Sequence, residues 1–145
     1  MTIGKSRTLK MLGMLLFLLG LITGFAMTNF KNPRMGLAAH LEGVMNGTFL
    51  VAAGLIWDDL NISESLKKYT SWCLMYGTFV NWLVTMLAAY FGTSHMTPIT
   101  GQGFTGTPLH ENIITGGFIT VGLTMVFSLL VIVYGLSGKG ISRKE

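Results

Sequence analysis

The chain has 145 residues, of which 50% are apolar and 11% are charged, and its mean hydropathy is +0.58. This composition favours a membrane protein, and the single cysteine, Cys73, excludes both a disulfide within the chain and a metal cluster held by cysteines. The net charge of +4 predicts contact with anionic membrane lipids. A nucleic-acid partner is excluded, because no basic surface is interleaved with the aromatic side chains on which bases stack.

Four apolar stretches predict four transmembrane helices, at about residues 10–27, 35–57, 69–91 and 112–136. Each approaches or exceeds the roughly 20 residues that a spanning helix needs. We therefore predict an all-α integral membrane protein, a four-transmembrane-helix bundle that forms one domain over residues 1–145.

The ten basic residues predict the orientation, because lysine and arginine near helix ends resist translocation. Only Lys31 and Arg34 fall on one side of the predicted membrane. The others fall on the opposite side: Lys5, Arg7, Lys10, Lys67, Lys68, Lys139, Arg143 and Lys144. Both termini are therefore expected in the cytoplasm.

The first two predicted helices each carry glycines along one stripe, which lets another backbone approach closely. The stripes consist of Gly13, Gly20 and Gly24 in the first helix and of Gly36, Gly43, Gly47 and Gly54 in the second. The fourth helix carries a similar stripe of small, weakly polar residues. We expect the second helix to face protein on most sides and the chain to oligomerise.

The second helix also carries an imidazole, a carboxylate and a carboxamide, at His40, Glu42 and Asn46. Burying such side chains in hydrocarbon costs free energy, so their presence indicates a structural or functional role. His40 has two interpretations, a hydrogen bond across the bundle or an axial ligand of haem iron, since imidazole binds iron and helix bundles house haem. Glu42 must be protonated or paired at that depth. Its candidate partners are Arg34, His95 and His110.

The third helix places Asn81 near mid-depth, where Asn46 also falls, so the two carboxamides are expected to face one pocket, with Tyr76 nearby. The connection that follows, residues 92–111, is the longest in the chain and is rich in Gly, Thr and Pro. Loops of this length are often lids or binding loops. Its histidines, His95 and His110, are either ordinary loop side chains or a second axial ligand.

Two segments carry a family resemblance: Asn-Pro-Arg-Met-Gly-Leu-Ala-Ala-His-Leu-Glu-Gly-Val-Met-Asn-Gly over residues 32–47, and Tyr-Gly-Thr-Phe-Val-Asn-Trp over residues 76–82. They resemble the hydroxylaminobenzene mutases, small bacterial membrane proteins that are similar to the styrene oxide isomerases. The resemblance extends from Lys10 to about Leu136. The Ala-His and Asn-Gly pairs are shared with both branches, whereas Asn-Pro-Arg and His-Leu-Glu-Gly resemble the mutases more closely.

The resemblance implies four-helix subunits that assemble as trimers in the bacterial inner membrane, with haem b between subunits and His40 ligating the iron. It also implies that Asn46 positions the substrate. The third-helix tyrosine of the isomerases has no counterpart, since Thr85 falls near its position, and their third-helix aspartate aligns with Tyr76. This altered pocket argues against an epoxide substrate.

The expected function is therefore an isomerase that converts an aryl hydroxylamine to an aminophenol by moving oxygen from nitrogen to the ring. Ferric haem would polarise that oxygen as a Lewis acid. Tyr76, Asn46 and Asn81 would position the substrate, and Glu42 would handle a proton. Two alternatives keep the haem: an epoxide isomerase that gives an aldehyde, and a bis-histidine cytochrome b subunit that passes electrons with the help of His110. A haem-free transporter is disfavoured by the short chain without an inverted repeat.

Overall fold

The computed structural model describes residues 4–138. This part of the chain contains four α-helices and no strand, which confirms the predicted all-α class. The helices are α1 (Lys5–Ala26), α2 (Pro33–Leu55), α3 (Glu64–Phe91) and α4 (Pro108–Leu136). Short 3-10 turns follow α1 at Met27–Asn29 and α2 at Trp57–Asp59.

All four helices begin earlier than the apolar stretches, and in α3 and α4 a capping residue outside the stretch is the reason. The Ser63 side chain accepts a hydrogen bond from the backbone amide of Leu66 at the start of α3. Thr107 does the same at the start of α4, where Pro108 occupies the first turn and its fixed φ suits the helix. The long connection is consequently residues 92–107 rather than 92–111.

Each helix packs antiparallel on the next one in the chain. Within the described residues the main contacts are α1 with α2, α2 with α3 and α3 with α4, and a smaller contact joins α1 to α3. The Ser6 hydroxyl near the start of α1 donates to the carbonyl of Gly54 near the end of α2, at 2.8 Å. At the other end of the molecule, the amide of Asn32 donates to the carbonyl of Ala89 at 3.0 Å.

The predicted glycine stripes form the contact between α1 and α2. A Cβ atom built on Gly43 would lie 2.4 Å from the Cα of Gly20, and one built on Gly47 would lie 2.5 Å from the backbone nitrogen of Phe17. No side chain fits between backbones this close. The prediction that these glycines let a neighbouring backbone approach is confirmed except at Gly24, which meets the His40 side chain instead.

Three of the four helices within residues 4–138 are long and apolar enough to span a membrane. With flanking residues these are Lys5–Asn29, Glu64–Phe91 and Pro108–Leu136, whose mean hydropathies reach 2.1, 1.3 and 2.3. The 23-residue helix α2 is not among them, because His40, Glu42 and Asn46 lower its hydropathy. The membrane class is supported, and α2 is set apart by its polar side chains.

The basic residues of the described region lie at the two opposite ends of the bundle. Lys5 and Lys10 are near the start of α1, and Lys67 and Lys68 are near the start of α3, which is the same end of the antiparallel bundle. Lys31 and Arg34 lie at the opposite end. Three further residues used in that prediction, Lys139, Arg143 and Lys144, lie outside the described residues.

The connection 92–107 is fastened to the start of α2. Lys31, Asn32 and Arg34 each donate a side-chain hydrogen bond to a backbone carbonyl, and Asn32 is fully buried. The acceptors are Phe91 and Thr105 for Lys31, both at 3.2 Å, Thr100 for Asn32 at 2.9 Å, and Gln102 for Arg34. The Asn-Pro-Arg motif therefore holds this loop in place.

Glu111 fastens the other side of the same loop. Its side chain is 2% exposed. Its carboxylate accepts hydrogen bonds from the backbone amides of Ser94, His95 and Gly106 at 3.0 to 3.2 Å. A buried carboxylate surrounded by backbone amides is a strong acceptor, because each of these hydrogen bonds is charge-assisted.

Replacing Glu111 by alanine is expected to destabilise the protein by about 2 kcal/mol, because buried backbone amides would lose their acceptor. Unfolding in an SDS titration measures this loss, and limited proteolysis should show faster cleavage within residues 92–107. The matched control is Glu64→Ala, whose carboxylate is 83% exposed and pairs with Lys67 at 3.7 Å. Its effect is expected to stay below about 1 kcal/mol. Equal effects of the two substitutions would contradict the anchoring role of Glu111.

Candidate functional site

The polar residues of α2 face two different helices. His40 and Glu42 are two positions apart, which is about 200° around a helix. The His40 ring contacts Gly20 of α1, whereas the Glu42 carboxylate contacts Asn81 of α3. The candidate site of a single chain therefore has two halves, on opposite faces of α2.

The first half is the imidazole of His40. Its Nδ1 lies 2.8 Å from the carbonyl oxygen of Gly20. A carbonyl only accepts hydrogen bonds, so Nδ1 carries the proton and the lone pair is left on Nε2. This arrangement is typical of metal-binding histidines, whose second nitrogen donates to a backbone carbonyl or carboxylate.

Gly24 leaves room for the ring. A Cβ atom built at Gly24 would lie 2.8 Å from Nδ1 of His40. Beside the ring is an apolar cavity of about 390 Å³. It is lined by Leu21, Gly24, Phe25, Met27, Leu37 and His40.

These residues fit a haem better than a bare metal ion. Residues 4–138 contain no group of three or more His, Cys, Asp or Glu side chains that could hold a metal ion. A single imidazole beside an apolar cavity suits an iron that brings four ligands of its own in a flat, apolar macrocycle. His40 is the one imidazole that the described structure places in the lining of this cavity.

The second half is a cluster of a carboxylate and two carboxamides between α2 and α3. Asn46 donates from Nδ2 to Oε2 of Glu42 at 3.1 Å and to the backbone carbonyl of Thr78 at 3.4 Å. Asn81 also donates from Nδ2 to Oε2 of Glu42. The two carboxamides, which were expected to face one pocket, both donate to the same oxygen, Oε2 of Glu42.

The prediction that Glu42 pairs with Arg34, His95 or His110 was wrong. Arg34 donates to the carbonyl of Gln102, and the His95 imidazole lies 3.9 Å from the carboxylate of Glu111. The His110 ring stacks on Phe91 with 3.8 Å between ring centroids. All three belong to the loop end of the molecule, so Glu42 is satisfied by amide donors at its own depth.

Tyr76, the fourth predicted catalytic residue, lies apart from this cluster. Its hydroxyl forms a hydrogen bond with the Thr120 hydroxyl of α4 at 2.8 Å, and the side chain is 43% exposed. Tyr76 and Asn81 are five positions apart, or about 140° around α3. One chain thus brings together Glu42, Asn46 and Asn81 but not Tyr76.

Several supporting contacts were not predicted from the sequence. Trp82 donates from its indole nitrogen to the Thr23 hydroxyl at 3.1 Å and so ties α3 to α1 next to the cluster. Glu111 went unnoticed as the anchor of the loop, although an isolated acidic residue at the start of an apolar helix is a usable signal. The carbonyl groups of Gly20 and Thr78 belong to the backbone and have no sequence signal.

Comparisons with known proteins agree with the resemblance. The profile of the Styrene oxide isomerase family matches residues 5–137. Hydroxylaminobenzene mutase HabB of Ectopseudomonas oleovorans is 43% identical over 132 residues, which is 90% of this chain and 80% of that protein. Hydroxylaminobenzene mutase HabA of the same organism is 39% identical over 125 residues, which is 86% of this chain and 93% of that protein. No solved structure matches the chain.

Proposed function

Because the chain belongs to the styrene oxide isomerase family, we propose that it converts aryl hydroxylamines of the hydroxylaminobenzene type to 2-aminophenols. The protein is an isomerase, as its family and both mutases indicate. The names of those relatives support a hydroxylamine rather than an epoxide as substrate, and the chain covers most of each.

The observation that carries this proposal is the polar cluster of Glu42, Asn46 and Asn81 between α2 and α3. An aryl hydroxylamine combines an aromatic ring with an N–H and an O–H group. Carboxamides between apolar helices can hold the polar end of such a molecule while the ring lies against hydrocarbon. Apolar surroundings also limit attack by competing water.

The reaction breaks the N–O bond, forms a C–O bond at the ortho carbon and moves one proton from that carbon to nitrogen, without net oxidation or reduction. Ferric haem b, when bound, would supply a Lewis acid for the hydroxylamine oxygen. His40 is the residue that would hold it, since Nδ1 is committed to Gly20 and Nε2 is free to bind. Asn46 and Asn81 orient the substrate, and Glu42 fixes both carboxamides.

We propose that subunits assemble as trimers of four-span bundles, with haem b between subunits. The two halves of the candidate site face away from each other on α2, so they meet only if two subunits contribute to one site. Tyr76, on the surface shared with α4, reaches substrate in this assembly only across a subunit contact. Native mass spectrometry in detergent would count the subunits.

In the proposed assembly α2 is the fourth span, since it runs alongside α1 and α3 and has 23 residues. The protein lies in the bacterial inner membrane with both termini in the cytoplasm, at the end where Lys5, Lys10, Lys67 and Lys68 cluster. A reporter enzyme fused after residue 145, active only in the cytoplasm, tests this orientation.

Detergent-solubilised protein is expected to convert hydroxylaminobenzene to 2-aminophenol. Liquid chromatography measures the loss of substrate and the appearance of product. In water enriched in ¹⁸O the product should contain no label, because the hydroxyl oxygen comes from the substrate. Absence of turnover would overturn the proposed function. A kcat/KM for styrene oxide equal to or above that for hydroxylaminobenzene would favour the epoxide alternative.

A further inference from the structure

We infer that Glu42 determines which substrate class the site accepts, by turning the carboxamides of Asn46 and Asn81 into hydrogen-bond acceptors. The inference rests on the proposed function, since it concerns the same site. It gives Glu42 the role of a positioning residue that acts through its two neighbours.

The orientation of the Asn46 carboxamide follows from its partners. Oε2 of Glu42 and the carbonyl oxygen of Thr78 lie 3.1 Å and 3.4 Å from the same atom of Asn46. A carbonyl only accepts hydrogen bonds, and so does an ionised carboxylate, so the atom that faces them must be the nitrogen. Both N–H groups of Asn46 are therefore occupied.

The carboxamide of Asn81 is oriented by the same oxygen, Oε2 of Glu42. Within residues 4–138, neither Asn46 nor Asn81 has a hydrogen-bond partner at its own carbonyl oxygen, Oδ1. Neither oxygen is among the fully buried, unpartnered polar atoms of the structure. The two carboxamides thus offer two acceptor oxygens beside Oε1 of Glu42, and the one remaining donor of the cluster is the second N–H of Asn81.

This set of groups distinguishes the two substrate classes of the family. An aryl hydroxylamine brings an N–H and an O–H donor, which match two acceptor oxygens. An aryl epoxide brings only an acceptor oxygen, which would leave both carboxamide oxygens unpaired. A site built to accept hydrogen bonds from a substrate strongly rejects an analogue that lacks the donors, because its own polar groups then stay unsatisfied.

Glu42→Gln tests the inference, because glutamine has nearly the same shape but can donate to the carboxamide oxygen of Asn81 and so release the N–H groups of that residue, whereas the carbonyl of Thr78 still holds Asn46. The ratio of kcat/KM for styrene oxide to that for hydroxylaminobenzene is expected to rise about tenfold or more. Isothermal titration with two inert probes gives a readout independent of turnover. The wild type should bind aniline, which has N–H donors, about tenfold more tightly than N,N-dimethylaniline, and this gap should narrow in Glu42→Gln, where Asn46 alone keeps its acceptor.

The control is Thr48→Val on the same helix, since the exposed Thr48 hydroxyl donates only to the carbonyl of Val44 at 2.9 Å. This variant should keep both the kcat/KM ratio and the aniline preference. If Glu42→Gln does not fold, Asn46→Leu removes one acceptor at similar volume and should narrow the same gap.

Two outcomes separate this inference from the proposed function. Equal losses of kcat/KM on both substrates in Glu42→Gln, with the aniline preference intact, would overturn the role of Glu42 and leave the mutase activity standing. A wild type that does not convert hydroxylaminobenzene would overturn the proposed function, whereas the aniline titration would still decide whether the cluster is an acceptor site.

Discussion

Wild-type protein purified in detergent is expected to show the Soret band of haem b, and the His40→Ala variant is expected to lose it. Turnover of hydroxylaminobenzene should fall at least about a hundredfold in the variant. The reason is the geometry at His40, which lines the apolar cavity between α1 and α2, and whose Nδ1 is committed to the carbonyl of Gly20 at 2.8 Å. Visible spectra and pyridine haemochrome quantitation measure the haem, and circular dichroism establishes that the variant is folded.

The matched control is His110→Ala. The His110 ring stacks on Phe91 at the loop end and does not line the cavity beside His40. This variant should keep the Soret band and the turnover. Loss of the band in both variants, in a protein that converts neither substrate, would favour the bis-histidine cytochrome. A colourless wild type that is folded and active would contradict His40 as an iron ligand.

The four helices were predictable because apolar side chains mark the part of a helix that contacts hydrocarbon. Their ends were less so, since Ser63 and Thr107 start α3 and α4 among polar residues. A cap acts through one hydrogen bond and leaves the apolar pattern unchanged. Hydropathy therefore locates the middle of each helix better than its first turn.

The cluster of Glu42, Asn46 and Asn81 was predictable only in part. Glu42 and Asn46 are four positions apart, and this spacing puts them on one face of a helix. The contact with Asn81 depends on how α3 is aligned along α2. The expected depth of each residue in the membrane does not fix this alignment to within one helical turn. The predicted cationic partners of Glu42 were wrong, because a buried carboxylate can be satisfied by amide donors as well as by a positive charge.

The two faces of α2 show which features of the site the sequence pattern predicts and which it does not. Helical spacing alone separates His40 from Glu42 by about 200°. The identity of the two neighbours, a backbone carbonyl of Gly20 and the carboxamide of Asn81, follows from packing. Tyr76, expected near the two carboxamides, forms a hydrogen bond with Thr120 instead, because the five-residue spacing from Asn81 turns it to another side of α3.

The contact between α1 and α2 leads to the largest expected change in stability, since both halves of the candidate site depend on the position of α2. A Cβ atom on Gly43 would lie 2.4 Å from Cα and 2.9 Å from the backbone nitrogen of Gly20, so a side chain fits only if the helices separate. We expect Gly43→Leu to lower the free energy of unfolding by about 3 kcal/mol or more. Circular dichroism recorded during a titration with SDS measures this change.

The same substitution at Gly122 of α4 is the control for Gly43→Leu, because a Cβ atom there meets nothing within 4 Å. Leucine favours the helix more than glycine does, so Gly122→Leu is expected to change stability by less than about 1 kcal/mol. Equal losses at the two positions would mean that leucine disturbs any helix of this protein, and the glycine contact would then not explain the effect. A loss confined to Gly43→Leu would establish that direct backbone contact fixes α2, which sets where His40 and Glu42 lie.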